Sequence, residues 1–230
     1  MKNKREVDPA FDSIAARNET HLLFDRHDLS MIRRQIFQMG FELIKYSDNP
    51  VTQTIYLNAS LTAEHKLIYT RLRRYKKKIS GSDLDIAKDK EVLFEIKLDG
   101  QSKERLKTTA GKIISADFSA IKSQALPDAY VAALQAVESF RPTIATEWLR
   151  EHYMIGEVGT RLTLDTVMAY FKFDDGREWE GKKVGISEYI RLECKEVIDG
   201  NLGEELTQIL GGIVSPQDWH KIEIERLSRK

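Results

Sequence analysis

The segment Leu67-Ile-Tyr-Thr-Arg-Leu-Arg-Arg-Tyr75 sets Tyr69, Arg71, Arg73 and Tyr75 at every second position, with Ile68, Leu72 and Arg74 between them. Side chains two apart on an extended chain share a face, so the stretch from Lys66 to Tyr75 reads as a β-strand with one cationic and one largely apolar side. The run Ile190-Arg-Leu-Glu-Cys-Lys195 repeats the pattern: Arg191, Glu193 and Lys195 align against Ile190, Leu192 and Cys194. Three further stretches follow it. Glu95 and Lys97 oppose Phe94, Ile96 and Leu98; Trp148, Arg150 and His152 oppose Leu149 and Tyr153; Arg161, Thr163 and Asp165 oppose Leu162 and Leu164. Five strands with one apolar and one charged face admit two readings. One is an antiparallel sheet with a solvated side. The other is a barrel whose charged faces converge on a channel while helices cover the outside, where cations would bind a polyanion and carboxylates would pair with them or hold a divalent metal.

Working outward, Glu19–Phe24, Val51–Asn58 and Glu91–Leu98 also read as strands, the last ended by Asp99-Gly100. So do Pro142–Tyr153, Glu157–Asp165, Val167–Phe173 and Ser187–Val197. Leu29, Ile32, Ile36 and Met39 recur at helical spacing before Gly40, which predicts a helix over Asp28–Met39. Helices are also expected from Ser102 to about Ser123, over Asp128–Phe140, over Gly203–Leu210 and from Ser215 onward. Lys76–Lys90 is a charged connection turning at Gly81. The class is α+β. Residues 1–17 form a polar arm, and 18–230 are expected to be a single domain.

The chain has 230 residues, 41% of them hydrophobic, enough for one sizeable core. Lys plus Arg is 36 and Asp plus Glu is 36. That balance excludes a generally basic nucleic-acid or membrane-surface binder. A single cysteine excludes an internal disulfide or a zinc ribbon and points to a reducing compartment. No stretch approaches the roughly 20 apolar residues of a membrane span, and Met1–Phe11 lacks a signal-peptide core. A cytoplasmic protein is expected.

Other motifs are weaker. His27, His65, His152 and His220 lack a ligand spacing such as His-x3-His, Cys194 reads as a packed thiol, and no P-loop or Gly-x-Gly-x-x-Gly fingerprint occurs. The basic run Arg71–Lys78 splits between strand faces and is not a nucleic-acid patch.

In order along the chain, Arg17-x-Glu19-x-His21, Arg71-x-Arg73, Glu95-x-Lys97, Trp148-x-Arg150, Arg161-x-Thr163-x-Asp165 and Glu193-x-Lys195 resemble the motifs of the triphosphate tunnel metalloenzymes, the CYTH-like superfamily. The likeness is greatest to the VTC domain of the vacuolar transporter chaperone polyphosphate polymerases, and it runs from about Arg17 to the end. The resemblance implies an eight-stranded antiparallel tunnel barrel with flanking helices. It implies phosphate ligation by His21, Arg71, Arg73, Lys97, Arg150, Arg161, Lys195 and Arg229, and a Mn2+ or Mg2+ site at Glu193, with Glu19 and Glu95 beside it. Arg71, Arg73, Lys97, Arg150 and Glu193 would be the catalytic set. The implied activity is polyphosphate synthesis from ATP; hydrolysis of tripolyphosphate or a nucleoside triphosphate, and polyphosphate binding without turnover, are the alternatives. A separate membrane partner is compatible with it, since the polymerases' membrane-spanning parts are absent from this sequence.

The sequence departs from the family at four places. Arg17 replaces the first carboxylate of the hydrolase and cyclase branch, as in the VTC branch. His21 replaces the usual Lys, Asn58 stands where Asp is common, and the closing Ser228-Arg229 lacks the terminal tyrosine.

Overall fold

A computed structural model describes residues 17–44, 50–58, 67–85, 91–98, 104–114, 127–135, 140–155, 160–174, 179–197, 201–216 and 219–229. Most of the expected polar arm, the Asp99-Gly100 turn and the helix expected beyond residue 114 lie outside them. The chain divides into two compact units, one drawn from Met1–Val51, Trp148–Met168 and Ile186–Lys230, the other from Thr52–Glu147 and Ala169–Gly185.

In the first unit, β1 (Arg17–Asp25) pairs antiparallel with β11 (Tyr189–Val197) on one side and with the short β12 (Ile213–Val214) on the other. β11 pairs in turn with the first part of β9 (Arg161–Phe173), and β9 neighbours β8 (Arg141–Met154). β2 (Glu42–Ile44) adds to the end of β8. The apolar faces expected from alternation are inside: Leu162, Leu164, Ile190, Leu192 and Cys194 pack with Leu22, Phe24 and Tyr153. Helix α1 (Leu29–Gln38) completes this core with Ile32 and Ile36, and its chain turns at Gly40, whose φ of 85° suits a residue without Cβ. A helix at Leu202–Leu210 adds Leu206 and Leu210, and ends at Gly211 with φ 67° and its N–H on the Thr207 carbonyl. The last helix spans Trp219–Ser228.

The second unit orders the first part of β8, then β3 (Val51–Asn58), β4 (Leu67–Lys76), β6 (Glu91–Leu98) and β7 (Glu104–Thr109). The far part of β9 pairs with β10 (Glu180–Ile186), which pairs with β5 (Leu84–Asp85). Leu72, Phe94, Ile96, Leu106 and Phe171 form its core with α2 (Ala110–Ile114) and α3 (Asp128–Gln135), through Ile113, Tyr130 and Leu134. The two later helices are accordingly α4 (Leu202–Leu210) and α5 (Trp219–Ser228).

The mainly antiparallel α+β class stands, but the strand arithmetic differs from the expected eight. Twelve strands are described, and in neither unit do the described pairings close into a barrel. The segment after Ser102, expected to be helical, opens with a strand: β7 supplies the edge that β6 pairs with, and the helix begins only at Ala110. The two strands expected over 157–173 are one, β9. Among the described residues no helix is long and apolar enough to cross a membrane.

Candidate functional site

In the first unit, strand register decides which charges meet. Across β1–β11, Glu19 lies opposite Lys195 and His21 opposite Glu193; across β11–β9, Arg191 faces Asp165 and Lys195 faces Arg161. Residues directly opposite one another in an antiparallel pair share a face. Asp165, fully buried, accepts two bonds from Arg150, Nε at 2.6 Å and Nη2 at 2.9 Å, and one from Arg191 Nη2 at 3.2 Å. The paired contact to Arg150 is the fork geometry that a guanidinium offers a carboxylate. Both guanidinium carbons lie 4.6 Å from the Trp148 ring centroid, and the α5 residue His220 stacks on the same ring at 5.3 Å.

Beside this group Lys195 Nζ bridges two carboxylates, 2.9 Å from Glu19 Oε1 and 3.0 Å from Glu193 Oε1. His21 Nε2 lies 3.6 Å from Glu193 Oε2 and 4.0 Å from Glu19 Oε2. Burial raises the cost of charging Glu193, but His21, Lys195, Arg150 and Arg191 outweigh it and hold the carboxyl well below the usual carboxylate range. His152 is shifted the other way for a base: burial, then Arg150 and Arg161, push its imidazole down to about 4 against the weaker pull of Asp165 and Glu193. At neutral pH it is an uncharged wall of the face.

The second unit builds a different cluster around Glu95, which is 0% exposed. Register puts an arginine opposite it on each side, Arg71 on β4 and Arg105 on β7. Arg71 Nε donates to Oε2 at 2.5 Å, Arg105 Nε to Oε1 at 2.9 Å, and Arg73 Nη1 lies 3.6 Å from Oε1. Within these four side chains three positive charges stand against one negative. Lys97 follows two residues along β6 on the same face. Arg74, on the opposite face, donates to Gln53. Gln53 itself donates to Glu147, a buried carboxylate that also takes Lys76 Nζ at 2.5 Å and the Ser80 backbone N–H at 2.5 Å. This second group fixes the connection after β4 and leaves Arg74 out of the charged face. A cavity of about 670 Å³ nearby is lined by both signs of charge, including Arg73, Lys107, Asp83 and Glu91.

Of the residues singled out in the sequence, the structure gathers Glu19, His21, Arg150, Arg161, Glu193 and Lys195 on the first unit's face, and Arg71, Arg73, Glu95 and Lys97 on the second's. Arg229 follows α5 with an 81% exposed side chain, 4.0 Å from Glu225. Glu95 is enclosed by guanidinium groups and joins no group of three metal-ligating side chains among the described residues. Glu19, His21 and Glu193 do form one, each offering a ligand atom within 4.8 Å of the others. Two carboxylates and an imidazole are donors that suit a divalent first-row cation. Asp25, His27 and Asp28 form a second, exposed group. Arg105, missed because its segment read as helix, and Asp165 and Arg191, whose pairing awaited the register, belong to the charged faces as well.

No family model matches the chain, and no curated protein matches it. Solved structures do. The PH1819 protein of Pyrococcus horikoshii OT3 is 16% identical with a TM-score of 0.41, over 91% of this chain and 99% of its own. A candidate adenylate cyclase from Vibrio parahaemolyticus is 13% identical with a TM-score of 0.37, over 86% of this chain and 88% of its own. TM-scores this low assign neither a fold family nor an activity.

Proposed function

We propose that this chain binds a linear triphosphate or polyphosphate on its arginine-bearing strand faces and transfers a phosphoryl group with a divalent cation, extending polyphosphate from ATP as a VTC-like tunnel enzyme would. The observation that carries the reading is the cluster at Glu95, where one buried carboxylate orients three guanidinium groups. Such a cluster is preorganised for an anion that offers several oxygens in a row. The Asp165 pairs with Arg150 and Arg191 hold two more arginines in fixed poses on the first unit's face.

Phosphoryl transfer asks a protein chiefly for positioning and charge neutralisation, so arginine, lysine and a metal suffice without a covalent nucleophile. Glu193 and Glu19 would hold the Mn2+ or Mg2+ ion, whose contribution when bound is to polarise phosphoryl oxygens and absorb developing charge. Lys195 holds both carboxylates in place, and Arg150, Arg161 and Arg191 bind and orient the phosphates.

The test is 31P NMR of the full chain with ATP, with and without Mn2+. Growth of internal-phosphate resonances from ATP is the expected result, absent in Arg71→Met. Orthophosphate accumulating from tripolyphosphate would replace synthesis by hydrolysis. Unchanged spectra with broadened tripolyphosphate lines would reduce the function to binding, and unchanged, unbroadened lines would overturn the reading altogether.

A further inference from the structure

We propose that His21 is a metal ligand, and that Glu19 Oε2, His21 Nε2 and Glu193 Oε2 together form a site for a borderline first-row cation, Mn2+ or Co2+, in preference to Mg2+. The purpose of the site rests on the phosphoryl-transfer reading; its existence rests on the geometry below.

The two carboxylates are turned the same way. Each gives its Oε1 to Lys195, at 2.9 and 3.0 Å, and each leaves its Oε2 toward His21. The separations from Nε2 to those oxygens, 3.6 and 4.0 Å, are too long for an N–H···O hydrogen bond. They are close to what two ligands of one ion adopt: bonds of about 2.1 Å put neighbouring ligands roughly 3.0 to 3.4 Å apart. All three ligand atoms lie within 4.8 Å of one another on paired strands, so an ion would draw them together through side-chain torsions. Lys195 takes the part of the outer group that orients carboxylate ligands.

Charge and access agree. Glu19 and Glu193 carry two negative charges and Lys195 one positive. Arg150 and Arg191 donate to Asp165, and Arg191 Nη2 also lies 3.9 Å from Glu193 Oε2, so an ion would take the place of that longer contact. The side chains of Glu19 and His21 are 45% and 33% exposed, and that of Glu193 is 11%, so the open side of the group is reachable by an ion and by a phosphate. The nitrogen sets the class of metal. Mg2+ is held by oxygen ligands and waters in near-ideal octahedra, whereas imidazole binds the first-row transition ions progressively better from Mn2+ onward.

The experiment uses the full chain with Mn2+ alone. Pulsed EPR of bound Mn2+ reads nitrogen ligation directly as a 14N coupling, and equilibrium titration reads affinity for Mn2+ and Mg2+. One Mn2+ per chain with a 14N coupling is expected. His21→Gln should abolish the coupling and weaken Mn2+ by at least about tenfold, while Mg2+ affinity changes by less than about twofold. Mn2+ bound without 14N coupling, a coupling that survives in His21→Gln, or no Mn2+ binding overturns the proposal. A tripolyphosphate titration in EDTA separates this outcome from the functional reading. If tripolyphosphate binds and Mn2+ does not, the metal site falls alone. If Mn2+ binds with its 14N coupling and tripolyphosphate does not bind, the site stands and the phosphoryl-transfer reading falls.

Discussion

Replacing Glu95 by Gln keeps the shape of the side chain and removes its charge, leaving Arg71, Arg73 and Arg105 around a neutral amide. Glu95 is 0% exposed, and the three arginine side chains are 13%, 11% and 30% exposed. Breaking a buried ion pair from one side costs about 3 to 5 kcal/mol. Solvent reaching Arg105 brings the expectation to the lower end, about 3 kcal/mol. For a chain of this length each kcal/mol moves the melting temperature by about 2 to 4 °C, so the variant should melt roughly 6 to 12 °C lower.

The same cluster gives the prediction its second arm. Losing Glu95 removes one negative charge from among the guanidinium groups, and an anion that seats there can supply it. Saturating tripolyphosphate should therefore stabilise Glu95→Gln more than the parent and close at least half of the gap, through preferential binding to the folded state. The assay is a pair of thermal melts in a phosphate-free buffer, each with and without tripolyphosphate. A loss below about 2 °C would refute the ion-pair reasoning. A gap that tripolyphosphate leaves unchanged would refute the assignment of this cluster to phosphate.

Other consequences are open to direct measurement. His152 titrates at about 4 in the folded chain against 6.5 for a free imidazole, so as pH falls the unfolded state takes up a proton first. The stability it supports is complete above pH 6.5 and is lost on the way down to about 4, at most about 3 kcal/mol. Urea unfolding at pH 7 and pH 4.5 should show a drop smaller by about 2 kcal/mol in His152→Asn than in the parent. Arg105→Met should weaken tripolyphosphate binding by about tenfold in a calorimetric titration, the worth of a charge-assisted hydrogen bond. Gly211→Ala puts a Cβ on a residue with φ 67° at the end of α4, and should cost about 1 kcal/mol in urea unfolding without changing tripolyphosphate affinity.

Alternation made most strands legible, and it failed where its physical cause was missing. Along Arg161–Asp165 one face is charged and one packed, so the period of two is clear. From Met168 to Phe171 all four residues are fully buried, and with neither side exposed the signal vanishes. That is why one continuous strand, β9, reads in the sequence as two. β7 fails for another reason: Glu104-Arg-Leu-Lys carries good helix formers, and only pairing with β6, a non-local bond, overrides that preference. β10 is Glu180-Gly-Lys-Lys-Val-Gly-Ile, poor in strand formers, and owes its extension to β9 and β5.

The candidate site divides along the same line. Alternation tells which side of a strand a residue faces, and so it singled out Arg71, Glu95, Arg150, Glu193 and Lys195. It cannot tell which residue of a neighbouring strand stands opposite. Asp165 receives Arg150 and Arg191, and Glu95 receives Arg105, because of registers that no local pattern records. The histidines show this most sharply. Ligand spacings such as His-x3-His describe donors one helical turn apart, whereas donors in a sheet come from paired strands at any separation along the chain. His21 belongs to no such spacing, yet β1–β11 pairing sets it directly against Glu193. At that register position a histidine, unlike a lysine, can bind a cation instead of repelling it.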